Sequence, residues 1–408
     1  MKKSNCILTI LILVLFSSLV SAKQVEPGEQ SDLEIIIYSK SEDQNSKEWL
    51  RKAAEQGNIS AQFDLGVITY QEGNHTEGKK WLKKAAQQKN TFAQSSLGVF
   101  LYNEGNHTEG KKWLKKAAQQ KNTFAQSNLG TFLYREGNRT EGKEWLNKAA
   151  KQGNTLGQSQ LGSFLYKEGN HIEGKEWLKK AADQGNAIAQ SQLGFFLYEE
   201  GNHTEGKEWL KKGADQGNAI AQSQLGFFLY KEGNHIEGKE WLKKAAEQEY
   251  STAQFNLGAL LYQEGNCAAG KKWLQKAAEQ GIAIAQSDFG YFPYKEGNHT
   301  EGKEWLKRAA EQGYALAQSN LGSFLYKEGN HTEGKEWLKK GADQGNAIAQ
   351  SQLGFFLYQE GNQAKGKEWL KRAAEQGSEA AERNLTIILD KETSKRASGV
   401  FSDKYNHF

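Results

Sequence analysis

Proline, cysteine and methionine are scarce in this 408-residue sequence, which contains two prolines, two cysteines and one methionine. The scarcity of proline removes the strongest helix breaker, and the frequent Ala, Leu, Glu, Lys and Gln residues favour helices. Two cysteines, Cys6 and Cys267, exclude a framework of several disulfides. Aromatic residues make up 11% of the chain, which is enough apolar mass for a core and argues against disorder over most of its length.

An excess of one charge is also missing. The 53 basic and 49 acidic side chains give a formal net charge of +4, and the two signs are interspersed along the chain. A surface that follows a phosphate backbone needs a basic stripe separated from acidic residues. The sequence therefore predicts no nucleic-acid partner.

The first 22 residues have the pattern of a secretory signal peptide. Lys2 and Lys3 form a basic start, residues 7–15 are apolar, and small residues end at Ala22. The apolar run is shorter than the ~20 residues of a membrane span. We therefore expect cleavage near Ala22, export to the periplasm or the medium, and no stable membrane span afterwards. An uncleaved amino-terminal anchor is the alternative.

Tryptophan shows that the rest of the chain is a repeat array. The eleven tryptophans recur at intervals of 32 residues from Trp49 to Trp369, and a series of tyrosines from Tyr70 to Tyr358 keeps the same interval. A fixed period of this length is typical of solenoids built from stacked supersecondary units.

Each repeat is expected to contain two helices. In one unit the apolar residues favour a helix over 219–232, called helix A, and a helix over 204–216, called helix B. Glycines at 201, 217 and 233 suit helix ends, and the following asparagines suit helix starts. The predicted core positions are Gly206, Trp209, Leu210 and Gly213 of helix B, and Ala221, Leu225, Phe228 and Leu229 of helix A. Two-helix units of this kind must stack to bury their apolar faces.

The Ala-Gln…Leu-Gly…Tyr…Gly and Trp…Lys-Ala-Ala strings of this unit resemble the Sel1-like repeat of the TPR superfamily. The resemblance implies an all-α superhelix, or solenoid, of about eleven repeats over residues 42–392. The segments at 23–41 and 393–408 lie outside the repeats and are expected to be flexible. The resemblance also implies that helix A lines a concave side, and that the protein is an adaptor in signalling, envelope regulation or contact with a host cell. Pro293, inside a predicted helix A, predicts a kink or a locally weak repeat.

Two motifs suggest chemistry but have simpler interpretations. Seven histidines recur in one loop position, from His75 to His331, yet stacked repeats separate equivalent atoms by about 10 Å, and zinc ligands lie about 2 Å from the metal. Asn-His-Thr triplets could be glycosylated in a eukaryotic secretory pathway, but Ile172 and Ile236 break the triplet while the asparagine stays. Asparagine with a glutamate three residues on fits helix capping.

An enzyme is not expected, because every candidate acid, base or nucleophile occurs in many near-identical copies. Residues 201–230 are identical to 329–358, whereas an active site needs one unique constellation. We expect no cofactor and no metal. One alternative is a Sel1-like hydrolase of β-lactam or cell-wall substrates, although such proteins carry a cysteine pair in each repeat. Another is a glycosylated adaptor of the secretory pathway.

Binding is predicted on the face of helix A that varies between repeats. One position there holds amides in most repeats, and the position three residues later alternates between small and aromatic residues. Amides that bond a peptide main chain, with rings as anchors, suit an extended protein or peptide partner. The predicted ligand-binding residues are Asn128, Gln160, Gln192, Phe195, Gln224, Phe227, Asn256, Tyr291, Asn320, Gln352 and Phe355. An ordinary solvated surface without a ligand is the alternative.

Overall fold

The computed structural model describes residues 44–390, apart from residue 296. Within this range the chain consists of helices joined by short turns, as the all-α prediction requires. The predicted leader at 1–22, the segment at 23–41 and the tail at 393–408 lie outside the described residues.

The helices alternate between the two predicted types. The A helices are Ile59–Gln71, Thr91–Asn103, Thr123–Arg135, Thr155–Lys167, Ala187–Glu199, Ala219–Lys231, Ser251–Gln263, Ala283–Lys295, Ala315–Lys327 and Ala347–Gln359, followed by a helix over 379–390. The B helices are Gln44–Glu55, His75–Gln87, His107–Gln119, Arg139–Lys151, His171–Asp183, His203–Asp215, His235–Glu247, Cys267–Glu279, His299–Glu311, His331–Asp343 and Gln363–Glu375. The fold is the predicted solenoid of two-helix repeats.

Glycine and asparagine make the turns as expected. Gly201 has φ of 92° and Gly217 has φ of 87°, in the left-handed region that closes helices. Asn218 then begins the next helix by accepting a hydrogen bond from the main-chain N–H of Ala221 at 2.8 Å. Three repeats adopt the left-handed conformation without glycine, at Lys89, Lys121 and Glu249, where a side chain costs about 1–2 kcal/mol.

Paired glycines bring helix A and helix B of one repeat into main-chain contact. A Cβ atom on Gly194 would lie 2.7 Å from the carbonyl oxygen of Gly206, and one on Gly226 would lie 2.6 Å from that of Gly238. The prediction that Gly206 and Gly226 allow close approach is confirmed. The fully buried Leu210 packs in the same contact.

One buried glutamine in each repeat joins three helices. Gln190 donates to the carbonyl oxygen of Ala182 at 3.1 Å and accepts from Gln216 at 2.7 Å. Gln190 is 4% exposed, so the burial of its amide would destabilise the folded protein if these bonds were absent. Ala182 and Gln190 lie on successive helices, and Gln216 directly follows the helix after them, so the glutamine holds these three helices in register.

The chain forms two compact units, one ending at Ala245 and the other beginning at Ala246. Within each unit, helix A packs most extensively on the helix B that follows it, and less on the helix B that precedes it. The main chains of neighbouring A helices also approach each other, more closely than those of neighbouring B helices. The A helices therefore lie side by side within each unit.

Pro293 does not end its helix, which continues to Lys295. The turn beyond it is retained, because the N–H of Asn298 donates to the carbonyl oxygen of Pro293 at 2.8 Å, as Asn202 does to Leu197 at 2.9 Å. The neighbouring aromatic contact is looser: the rings of Tyr262 and Phe292 are 4.6 Å apart and tilted by 30°. The corresponding tyrosine and phenylalanine rings in other repeats lie 3.5 to 3.8 Å apart and are nearly parallel, as for Tyr102 and Phe132 at 3.7 Å.

Candidate functional site

The predicted amide positions lie on one face of the A helices, close to the preceding repeat. Gln192 accepts a hydrogen bond from the hydroxyl of Ser159 at 3.1 Å, and Gln224 accepts one from Ser191 at 2.9 Å. Gln352 is paired in the same way with Ser319 at 3.0 Å. The three glutamines are half-buried, as are Asn128, Asn256 and Asn320, whereas Gln160 is buried. The amides thus link repeats and present one edge to solvent.

The aromatic positions lie one turn further along the same face. Phe195, Phe227, Phe355 and Tyr291 are half-buried. The ring of Phe195 contacts Phe228 of the next repeat at a centroid distance of 6.0 Å. Where this position carries a small residue it is buried, as for Val67 at 1% and Ser163 at 4% exposure. A small side chain is therefore covered by the neighbouring helices, and a ring extends beyond them.

The predicted loop histidines are the first residues of their B helices, and in several repeats they belong to an aromatic ladder. The ladder is formed by a tyrosine, the histidine five residues later and the phenylalanine of the next helix A. The ring of Tyr198 lies 3.7 Å from Phe228 and 4.3 Å from His203, stacked with both. The hydroxyl of Tyr198 donates to Glu232 at 3.0 Å, and Lys207 pairs with the other oxygen of this carboxylate. The ladder therefore fixes one repeat on the next through stacking and an ion pair.

The ladder shifts the pKa values of its acids in opposite directions. At Glu232 the hydrogen bond from Lys207 lowers the pKa, and it outweighs the opposing desolvation. Burial, together with the hydrogen bond to Glu232, raises the pKa of Tyr198 to about 12. The other glutamates of the ladder with a lowered pKa are Glu104, Glu136, Glu168, Glu200 and Glu360.

We expect the free energy of unfolding to fall at both ends of the pH range. A lowered carboxylate pKa adds stability above the ordinary value of 4.5, and this stability is lost as the pH falls through the folded-state value. A raised tyrosine pKa adds stability below 10, which is lost as the pH rises towards about 12. Chemical unfolding across the pH range, together with the ultraviolet absorbance of tyrosinate, measures both losses.

Tyr198→Phe is the matched variant, because it keeps the stacked ring and removes the bond to Glu232. It should lower stability at neutral pH by about 1 kcal/mol and remove one late-ionising tyrosine from the titration. If all tyrosines of the protein ionise near 10, the ladder does not exist in solution.

The asparagines of the Asn-His-Thr triplets act as helix caps. Asn202 accepts from the N–H of Glu205 at 3.4 Å, and its amide donates back to the Glu205 carboxylate at 2.8 Å. Asn170 keeps the amide-to-carboxylate bond to Glu173 at 2.8 Å, although Ile172 breaks the triplet there. This supports capping as the reason for the recurring asparagine.

Between residues 44 and 390, no three His, Cys, Asp or Glu side chains converge as a metal site would require. Over the same part of the chain, no helix has the length and apolar content to cross a membrane.

Stacked pairs of short antiparallel helices, joined through paired glycines, define the class of α-solenoid proteins built from TPR-like repeats. Within that class the chain belongs to the Sel1 repeat family. The repeat of this family matches eleven times, at residues 39–58, 59–90, 91–122, 123–154, 156–186, 187–218, 219–250, 251–282, 289–314, 315–346 and 347–378.

Solved structures of Sel1-type proteins are similar to this chain. A protective antigen of uropathogenic Escherichia coli strains, described as having an SLR fold, is 33% identical, with 84% of this chain and 82% of that one covered and a TM-score of 0.52. A Sel1 repeat protein from Oxalobacter formigenes is 27% identical, with 74% and 87% covered and a TM-score of 0.44. No curated protein matches the sequence.

Proposed function

We propose that this protein is an exported, non-catalytic scaffold that binds a protein or peptide partner along the face of its A helices. The observation that carries the proposal is the contrast between constant and variable positions within one repeat. Groups that hold repeats together, such as the pair Gln190 and Gln216, recur throughout the array. The aromatic position of helix A varies instead, from the buried Ser163 to the half-buried Phe195. Sequence variation on a constant framework suits a surface that selects a ligand.

The chemistry of this face favours an extended polypeptide. Half-exposed rings can serve as anchors in an interface, and neighbouring amides can bond to a peptide main chain. Lys231 lies 5.7 Å from the ring of Phe227, which places a cation beside one of these anchors. Similar positions recur along each unit, so that weak contacts to one extended ligand would add through effective concentration.

Export is the second part of the proposal. It rests on the basic start at Lys2 and Lys3, the apolar residues 7–15 and the small residues before Lys23. Fractionation of cells that express the protein with a carboxy-terminal tag, with amino-terminal sequencing of the exported form, tests it. A tagged protein that stays in the cytosol with Met1 present would contradict export. Contact with a host cell or control of the envelope would both be consistent with an exported scaffold.

The binding face is tested by a pull-down with the purified protein and a variant that carries Phe195→Ser, Phe227→Ser and Phe355→Ser. Serine is compatible with the fold at this position, because Ser163 and Ser323 are native there. We expect specific partners to bind the parent protein and to be lost from the variant, while circular dichroism shows that both are folded.

A matched control changes apolar residues elsewhere. Ile172 and Ile236 are 76% exposed on B helices. The control variant carries Ile172→Thr and Ile236→Thr, because threonine is native at the equivalent position, Thr204, of another repeat. This control should retain the partners. If the serine variant binds the same partners as the parent, helix A is not the binding face.

A further inference from the structure

The amino-terminal end of the repeat array leaves an apolar surface uncovered. Trp49, on the first described helix, Gln44–Glu55, is 69% exposed, whereas the equivalent Trp81 of the next repeat is 6% exposed. Leu50 is half-buried, while the equivalent Leu82 is fully buried. Helix Gln44–Glu55 therefore lacks a cover that the helix B of the next repeat has.

In the next repeat this cover is helix Ile59–Gln71. Its Leu65 packs with Trp81 in one apolar cluster and lies sixteen residues before it in the chain. Sixteen residues before Trp49, outside the described residues, the sequence carries Leu33. Leu33 is therefore in the register of a residue that would cover Trp49.

The glutamine link between successive helices is also open at this end. Gln88 donates to Gln62 at 2.7 Å. Gln56, the equivalent of Gln88, is exposed, and its side chain has no hydrogen-bond partner among the described residues. Gln88 follows Gln62 by 26 residues, and the sequence carries Gln30 at the same interval before Gln56.

Glu72 marks a third open contact. In the next repeat the hydroxyl of Tyr70 donates to Glu104 at 3.1 Å, across 34 residues of sequence. Glu72 pairs with Lys47, but no tyrosine hydroxyl in the described part of the chain donates to it. The Glu72 side chain is 49% exposed, against 29% for Glu104. Tyr38 precedes Glu72 by the same 34 residues.

We propose that residues 27–39 fold back as one more helix A and cover the amino-terminal end of the array. One register brings Gln30, Leu33 and Tyr38 to their three open partners at once. Pro27 is the first residue of this helix, a position that proline favours because its missing N–H is not needed there. The occupant of the open surface is thus a segment of the same chain.

The short connection favours this segment over one from a second copy. Four residues, 40–43, join it to helix Gln44–Glu55, and three residues join helix A to helix B in the next repeat. Such a connection holds the segment beside its docking surface at a high effective concentration. This docking replaces the expectation that all of residues 23–41 are flexible, and it does not depend on the proposed binding function.

The docked helix lies slightly further out than the other A helices. Glu34 takes the position of Gly66, and Ser46 takes that of its partner Gly78. A Cβ atom on Gly66 would lie 2.8 Å from the side chain of Leu82, about 1 Å less than an ordinary contact. The first helix of an array has neighbours on one side only, so it can shift outward by this distance. We therefore expect it to be held more weakly than the inner A helices.

Amide hydrogen exchange of the purified protein tests the proposal. An isolated helix of this length is marginal in water, so that protection requires docking. We expect residues 33–39 to exchange at least about tenfold more slowly than in a synthetic peptide of residues 23–43, at every protein concentration. Exchange at the rate of the peptide would overturn the proposal. Protection that rises with concentration, together with a dimer in sedimentation, would show docking on a second copy instead.

Leu33→Ala should remove this protection, because it deletes the side chain that covers Trp49. Ile36→Ala is the matched control: its equivalent Ile68 is half-buried, whereas Leu65, the equivalent of Leu33, is 3% exposed. The control should retain most of the protection. Alanine favours helices more than leucine or isoleucine does, so a loss in Leu33→Ala reports lost packing. Equal losses in the two variants, or a loss in neither, would contradict the predicted register.

The fluorescence of Trp49 gives a second measurement. Subtracting the emission of a Trp49→Phe variant from that of the parent protein isolates it from the other ten tryptophans. We expect the isolated emission to shift to longer wavelength in Leu33→Ala, as Trp49 becomes exposed to water, and to stay unchanged in Ile36→Ala. If the emission of Trp49 is the same in the parent and in Leu33→Ala, residues 27–39 do not cover it.

Discussion

Gly194→Ala is expected to lower the free energy of unfolding by about 3 kcal/mol, because the methyl group has no space. It would lie 2.7 Å from the carbonyl oxygen of Gly206 and 2.8 Å from the main-chain nitrogen of Leu210. Both neighbours are main chain, so relief requires helix A and helix B to move apart. The gain in helix propensity from alanine is about 1 kcal/mol and offsets only part of this cost.

Gly213→Ala is the matched control, since it makes the same chemical change in the adjoining helix B. A Cβ atom there would lie 3.1 Å from its nearest neighbours, and the equivalent Ala181 is accommodated in another repeat. This variant should be neutral or more stable by up to about 1 kcal/mol. Denaturant unfolding, with amide hydrogen exchange of residues 187–215, measures both. Equal effects of the two substitutions would contradict the close contact at Gly194.

The helices were predictable from the sequence because their signals are local. The expected helix B at 204–216 is His203–Asp215 in the structure, and the expected helix A at 219–232 is Ala219–Lys231. Most of the predicted core positions are buried as well, although Leu229 is only half-buried. Glycine at fixed places in most repeats marks both the turns and the close helix contacts.

The buried glutamines were not predicted, because residue type alone places glutamine on the surface. Gln190 is buried since two partners, Ala182 and Gln216, satisfy its amide. The relevant signal is the repetition itself: the residue recurs as Gln158, Gln222 and Gln254 at the 32-residue period. A polar residue that keeps its place in every repeat has a structural partner.

The hydrogen bonds between repeats could not be predicted from local sequence patterns either. Tyr198 and Glu232 are 34 residues apart, and Ser191 and Gln224 are 33 apart. These spacings acquire meaning only once the stacking of repeats is known. The prediction that residues 192 and 195 and their equivalents bind a ligand remains a prediction, although the structure places both on the half-buried face of helix A.

Pro293→Leu is expected to raise the free energy of unfolding by about 3 kcal/mol. Proline has no N–H to donate to Phe289, the residue four positions earlier, and its ring crowds that carbonyl group. Leucine is native at the equivalent positions Leu261 and Leu325. It should also tighten the contact between Tyr262 and Phe292 from 4.6 Å towards the 3.7 Å found in other repeats.

The reciprocal variant Leu325→Pro places a proline at the equivalent position one repeat later. It should lower the free energy of unfolding by about as much as Pro293→Leu raises it. Since repeats contact mainly their neighbours, the stabilisation should be local. Amide exchange over 283–311 should slow in Pro293→Leu, while exchange over 59–87 stays unchanged. If Pro293→Leu leaves exchange over 283–311 unaltered while Leu325→Pro destabilises its own repeat, the helix around Pro293 has already adapted to proline. The repeat would then be stable despite the missing bond, and the prediction of a locally weak repeat would be wrong.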